Sequence, residues 1–178
     1  MQIINLQKDK LHLVRVILSD EREVLLDKDV VYDKSLKVGL TITEQSLQEL
    51  LFLSDYVRAK SRALWYLDRN AHTEKGLYDK LVRAGFRKEA VAKVIARFIE
   101  VGLLDDRRFA EVYAERLIEA NVSKREALQK MLLKGVPYDL AKAVLEETES
   151  DEGSQIKNLI EKKYRNKLQA ENGAKKVF

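Results

Sequence analysis

The sequence predicts a mainly α protein built of tandem three-helix repeats, with a small N-terminal β-hairpin segment ahead of them and a third repeat cut short. Three observations carry this. Charged residues make up 35% of the 178 positions while proline occurs once and glycine seven times, a balance that suits helices better than many strands joined by tight turns. The apolar pattern changes from alternation to helical spacing at Thr43. A stretch of the chain also recurs in class, though seldom in identity, at an offset of 50 residues.

Taken in order, Leu11 to Leu18 and Glu23 to Leu26 read as two strands around the turn-like Ser19 to Arg22, and Val30 to Tyr32 is a candidate third strand. A hairpin alone is marginal in water, so it should lean on the helical part. From the N-cap Thr43, residues Leu47, Leu50, Leu51, Val57, Leu64 and Leu67 recur at helical spacing, with a break expected near Ser54 and Asp55. The offset sets Thr73 on Ser123, Lys75 on Arg125, Lys80 on Lys130, Leu81 on Met131, Gly85 on Gly135, and Val91, Val94 and Ile95 on Ala141, Val144 and Leu145. It also sets Asp55 and Arg58 on Asp105 and Arg108, so each unit begins Asp-x-x-Arg. The second copy should hold helices near 105–120, 123–134 and 138–149.

Local chemistry places the ends of these helices. Ser123 and Glu126 form a capping-box pattern, and Thr73 is a cap without that partner. Gly85 and Gly135 stand where a helix ends in a left-handed residue, and Pro137 falls at the start of the next helix, where its missing N–H costs nothing. Residues 148–154 hold no apolar side chain and read as a linker. The resulting division is 1–42 for the hairpin segment, 43–101 for a linking helix and the first repeat, 102–149 for the second, and 154–178 for the truncated third.

Asp105 and Asp106 stand side by side before Arg107 and Arg108, which raises the possibility of a catalytic carboxylate pair. Consecutive helical residues point about 100° apart, so the two cannot flank one substrate bond. Asp105 is read as an N-cap and Asp106 as a first-turn acid that favours the helix dipole. Phe109, Val112, Tyr113 and Leu117 are then expected to form the buried stripe of that helix.

Composition narrows the function further. There is no cysteine, which excludes disulfides, iron–sulfur clusters and thiolate zinc sites. The N-terminus lacks the apolar core of a secretory signal, and no apolar run approaches the ~20 residues that cross a bilayer, so a cytoplasmic protein without membrane contact is expected. His12 and His72 lie in different segments with no ligand-spaced carboxylates, and no glycine-rich phosphate loop or nucleophile triad is visible. Neither enzymatic activity nor a cofactor is expected.

Charge is unevenly spread. Residues 58–97 hold eleven Lys/Arg against four Asp/Glu, 100–152 hold eight against thirteen, and 157–178 hold seven against two. A partner carrying both phosphates and basic protein surface would match this alternation, whereas the plain alternative is solvated helix faces. Lys75, Lys80, Arg83, Arg87 and Lys88 are the candidates for nonspecific contact with a nucleic-acid backbone. Trp65 and Tyr66, near Arg62 and Arg69, have the chemistry to stack on bases, but aromatic residues in a helical apolar stripe are expected in the core.

The block Ala63 to Phe86, ALWYLDRNAHTEKGLYDKLVRAGF, and the block Gly102 to Leu117, GLLDDRRFAEVYAERL, resemble the RecX family of regulatory proteins, which modulate the RecA recombinase. The resemblance extends from Ala63 to about Glu147. Leu103 replaces the family's usual tyrosine, Gly76 takes a position usually acidic, and Asn121 to Lys124 lack the glycine common before the middle helix. The resemblance implies an elongated array of the three-helix units, lying along the groove of the active RecA filament on DNA and restraining its ATPase, strand-exchange and coprotease activities. It implies no catalytic residue, and it carries over Arg69, Lys80, Leu104, Asp105, Asp106, Phe109 and Ala110, most of them as fold determinants. The implied partners are the RecA filament and, weakly and without sequence preference, single- and double-stranded DNA, met by a monomer.

Two other readings fit parts of the sequence. A helix-turn-helix DNA reader would use the glycine-containing turn before each third helix, but that helix in the second unit carries Asp139, Glu146 and Glu147, and neither copy offers Asn or Gln for adenine. A helical protein-interaction scaffold fits the same charges and is separated by a binding assay with recombinase filaments.

Overall fold

The structure, a computed structural model, describes residues 1–10 and 12–148. These form two compact units that divide between Leu104 and Asp105. The third repeat expected over 154–178, and Leu11 at the start of the expected strand, lie outside the described residues.

In the first unit, β1 (Ile3–Lys8), β2 (Leu13–Leu18) and β3 (Glu23–Asp27) make an antiparallel sheet in that order. The third strand is thus β1, ahead of the hairpin, not Val30 to Tyr32. Those three residues lie in helix α1 (Lys28–Asp33), because the Asp27 side chain accepts the Asp29 N–H and starts a helical turn. β1 is recruited by long-range pairing: the Ile3 N–H donates to the Leu40 carbonyl, the Gly39 N–H donates to that of Ile3, and Ile3 lies opposite Leu18. Ile3, Val16, Leu18 and Leu26 fill one core with Val30, Ile42, Leu47 and Leu50.

Helix α2 (Glu44–Arg69) follows from the Thr43 cap, whose hydroxyl accepts the Ser46 N–H. It runs unbroken for 26 residues through the expected break at Ser54 and Asp55. Ser54 is buried and its hydroxyl accepts the Asp27 N–H at 2.8 Å, so the serine ties the sheet to the helix instead of ending it. At the other end of the sheet, Arg22 spans Asp20 at 2.8 Å and Glu44 at 2.7 Å, and its hydrogen bonds hold both carboxyls below their ordinary range. All three groups are exposed, so the link adds little stability.

Helix α3 (Glu74–Arg83) starts at Thr73, 1% exposed, which accepts the Gly76 N–H, and α4 (Lys88–Glu100) returns against α2. Their core gathers Ala59, Ala63, Leu77, Leu81, Val91, Val94, Ile95, Phe98 and Leu104. The second unit holds α5 (Asp106–Glu119), α6 (Lys124–Leu133) and α7 (Tyr138–Glu147) around Ala110, Ala114, Leu117, Ala127, Met131, Val136, Ala141, Val144 and Leu145. The helix starts at 74 and 88 return at 124 and 138, and Gly85 and Gly135 both take φ of 92°, the left-handed value that closes α3 and α6.

Two local expectations change in detail. The Ser123 hydroxyl accepts the Glu126 N–H, but the Glu126 carboxylate turns forward onto Lys130 at 2.8 Å and leaves the capping box half made. In α5 the buried stripe is Ala110, Ala114 and Leu117; Phe109 and Tyr113 are half-buried at its edge with rings 5.8 Å apart, and Val112 is 42% exposed. Small alanines take the inner face because α6 and α7 pack close to it, displacing the larger rings by one helical position. Asp105 caps α5 by accepting the Arg108 N–H at 2.9 Å. Asp105→Ala is expected to lower stability by ~0.5–2 kcal/mol, read as a shift of the thermal midpoint.

Candidate nucleic-acid interface

The C-terminal half of α2 carries Arg58, Arg62, Trp65 and Arg69 at successive spacings of four, three and four, which places them along one face. Trp65 is 44% exposed, so the expectation that it is core is corrected. Core space under this stretch is taken by Ala59 and Ala63, and the larger ring is left on the outer face. The Arg69 guanidinium lies 3.9 Å from the Trp65 ring centre and that of Arg62 lies 5.5 Å away. Tyr66, half-buried, meets Trp65 edge-on with ring centres 5.3 Å apart, and the Lys80 ammonium lies 5.1 Å from the Tyr66 ring centre. Cation–π attraction holds these rings and charges in fixed positions.

The candidate residues therefore separate. Arg69 and Lys80 come together around the Trp65–Tyr66 pair, Lys80 also lying 3.3 Å from the His72 Nε2. Arg87 is drawn inward: it sits 3.4 Å from Asp55 and donates to the Gln48 side chain at 3.2 Å, joining the start of α4 to α2. Lys75 pairs with Asp79 at 3.0 Å on the surface of α3. Arg83 and Lys88 are exposed, and among the described residues neither makes an ion pair. The family-motif positions are packing and capping groups: Leu104 is buried in the first core, Ala110 in the second, Phe109 at its edge, Asp105 caps α5 and Asp106 lies in its first turn.

Sequence reasoning missed Arg58. Its guanidinium stands 5.5 Å from the Phe86 ring centre and 3.6 Å from Asp55, which thereby faces two arginines. The spacing of Arg58, Arg62, Trp65 and Arg69 was the available signal. In the second unit α7 presents Asp139, Glu146 and Glu147 on its exposed side, with Glu147 paired to Arg107 at 2.7 Å. Among the described residues no cluster of three or more His, Cys, Asp or Glu is placed to hold a metal ion, and no helix is long and apolar enough to cross a membrane.

Comparison with known proteins bears on this stretch directly. A family model described as the first three-helix domain of RecX matches residues 59–98, from the buried Ala59 to the buried Phe98. Regulatory protein RecX of Clostridium tetani is 26% identical over 178 residues, covering 98% of this chain and 81% of the relative. Residues 59–98 are thus a RecX first three-helix domain, and the curated relatives that the chain matches are RecX regulatory proteins. Regulatory protein RecX of Clostridium acetobutylicum is 30% identical over 115 residues, covering 65% of this chain and 54% of the relative. The fold is shared with a crystal structure of regulatory protein RecX at a TM-score of 0.63, with 20% identity over 94% of this chain and 84% of the other. RecX from Lactobacillus salivarius gives a TM-score of 0.58 at 21% identity, covering 65% and 76%.

Proposed function

We propose that this chain regulates the RecA recombinase by binding its nucleoprotein filament on DNA and lowering the filament's ATPase, recombinase and coprotease activities. The RecX domain match over residues 59–98, with the similarity of nearly the whole chain to RecX regulatory proteins, carries the reading, and the charge distribution supports it. The basic stretch 58–97 suits the phosphates of filament DNA, and the acidic stretch 100–152 suits basic protein surface. The chain acts by binding, as a monomer in the cytoplasm, and needs no cofactor.

Contact with DNA is weak and independent of sequence, made by exposed cations of the first unit such as Lys75, Arg83 and Lys88, with Arg69 and Lys80 beside the aromatic pair. Arg87 contributes by fixing α4 on α2, given its bonds to Asp55 and Gln48. The carboxylates of α7 disfavour insertion of that helix into a DNA groove. Co-sedimentation tests the reading: the chain is expected to pellet with RecA assembled on single-stranded DNA and a non-hydrolysable nucleotide, and to stay in the supernatant with RecA alone. Equal recovery in both would overturn filament recognition.

A further inference from the structure

Within the first unit, the N-terminal sheet and α1 face the C-terminal half of α2 across a groove of about 550 Å³. Its walls carry four cations, Lys10, Lys28, Arg58 and Arg62, against the two carboxylates of Asp27 and Asp29. Asp27 is buried and its carboxylate is engaged in capping α1, which leaves Asp29 as the opposing charge. Among the described residues Lys10, Lys28 and Arg62 make no ion pair, so their charge is available to a ligand. Trp65 and Phe86 line the same groove. Each ring has an arginine stationed near it, Arg62 and Arg69 at Trp65 and Arg58 at Phe86, which fixes stacking planes before a ligand arrives.

Unpaired cations around an exposed indole, in a groove within the ~300–1,000 Å³ that holds a small ligand, define a phosphate-bearing aromatic guest. Duplex DNA hides its base faces in its own stack, whereas a single strand presents both a free base face and a flexible phosphate chain. We infer that this groove binds an unpaired nucleotide of a single strand, the base stacking at Trp65 and the flanking phosphates meeting Lys28 and Arg62. This rests on the proposed contact with filament DNA and places it at a site apart from Lys75, Arg83 and Lys88.

Trp65 is the sole tryptophan of the chain, so its emission reports this groove alone. The full chain is titrated with a labelled oligothymidylate while label anisotropy reads total binding and tryptophan emission reads the groove. Emission should fall in step with anisotropy, and Lys28→Ala with Arg62→Ala, both at exposed positions, should weaken binding at low salt by on the order of tenfold. Lys75→Ala with Arg83→Ala and Lys88→Ala should keep the full quench at saturation. Rising anisotropy with unchanged emission would overturn the groove and leave DNA contact standing; no anisotropy change at any concentration would remove DNA contact itself. Equal quenching by thymidine monophosphate, or by a duplex of the same length, would overturn the single strand as occupant.

Discussion

Replacing Phe98 by alanine is expected to destabilise the first unit by about 3–5 kcal/mol. Phe98 is 1% exposed and, among the described residues, is the largest of the fully buried side chains. It meets residues of α2, α3 and α4 in one core, and its own carbonyl accepts the N–H groups of Leu103 and Leu104 where the chain leaves α4. Truncation leaves a cavity in a core that includes Ala59, Ala63, Val91, Val94 and Ile95, side chains with little freedom to collapse inward. Since domains of this size are stable by only ~5–15 kcal/mol, the loss is a large share of the total. Urea unfolding followed by circular dichroism should show a midpoint lowered by ~1–5 M at an m-value of ~1–3 kcal/mol/M. An unchanged midpoint would mean that α4 does not pack on α2 and α3 as described.

The second large effect is on DNA affinity. Replacing Lys75, Arg83 and Lys88 by alanine should flatten the log–log salt dependence of duplex DNA binding by up to ~3, because every phosphate left without its cation takes about 0.9 off the slope. The fold should survive, since alanine is favoured in helices and the Lys75–Asp79 pair is exposed, with the lysine side chain 68% accessible. The corresponding change at Lys124, Lys130 and Lys134 in the acidic stretch 100–152 should matter less, Lys130 being already paired with Glu126. Equal weakening by the two triple variants, or an unaltered slope, would assign the charge of the first unit to solvation alone.

Much of the fold was legible because its signals are local. Thr43, Thr73, Asp105 and Ser123 each accept the N–H three residues on, a bond specified within one helical turn. The glycines at 85 and 135 stand where a left-handed residue was demanded, and both adopt that conformation. What was not legible depends on distant chain. Val30 to Tyr32 have strand propensity, but Asp27 caps a helix there and the sheet takes its third strand from β1, whose pairing is fixed by Leu18 and Leu40. Ser54 and Asp55 looked like a helix end, and their partners, the Asp27 N–H and the guanidiniums of Arg58 and Arg87, keep the helix whole.

The candidate interface was legible as charge and illegible as geometry. Lysine and arginine counts marked the first unit, yet only the folded chain separates Arg87, bound to Asp55, from the exposed Arg83 and Lys88. Trp65 shows the same limit in reverse: an apolar stripe pointed it inward, and the small Ala59 and Ala63 take the inner face instead. Lys10 and Lys28 reach the Arg58 to Trp65 face only because the sheet leans on α2, an arrangement no local pattern encodes.

The most direct test of filament regulation is single-stranded-DNA-dependent ATP hydrolysis by the cognate RecA, measured with and without the full chain. Regulation as proposed predicts a steady-state rate that falls as the ratio of chain to RecA rises, with no hydrolysis by the chain alone. A rate unchanged in molar excess of the chain, or hydrolysis by the purified chain, would contradict it.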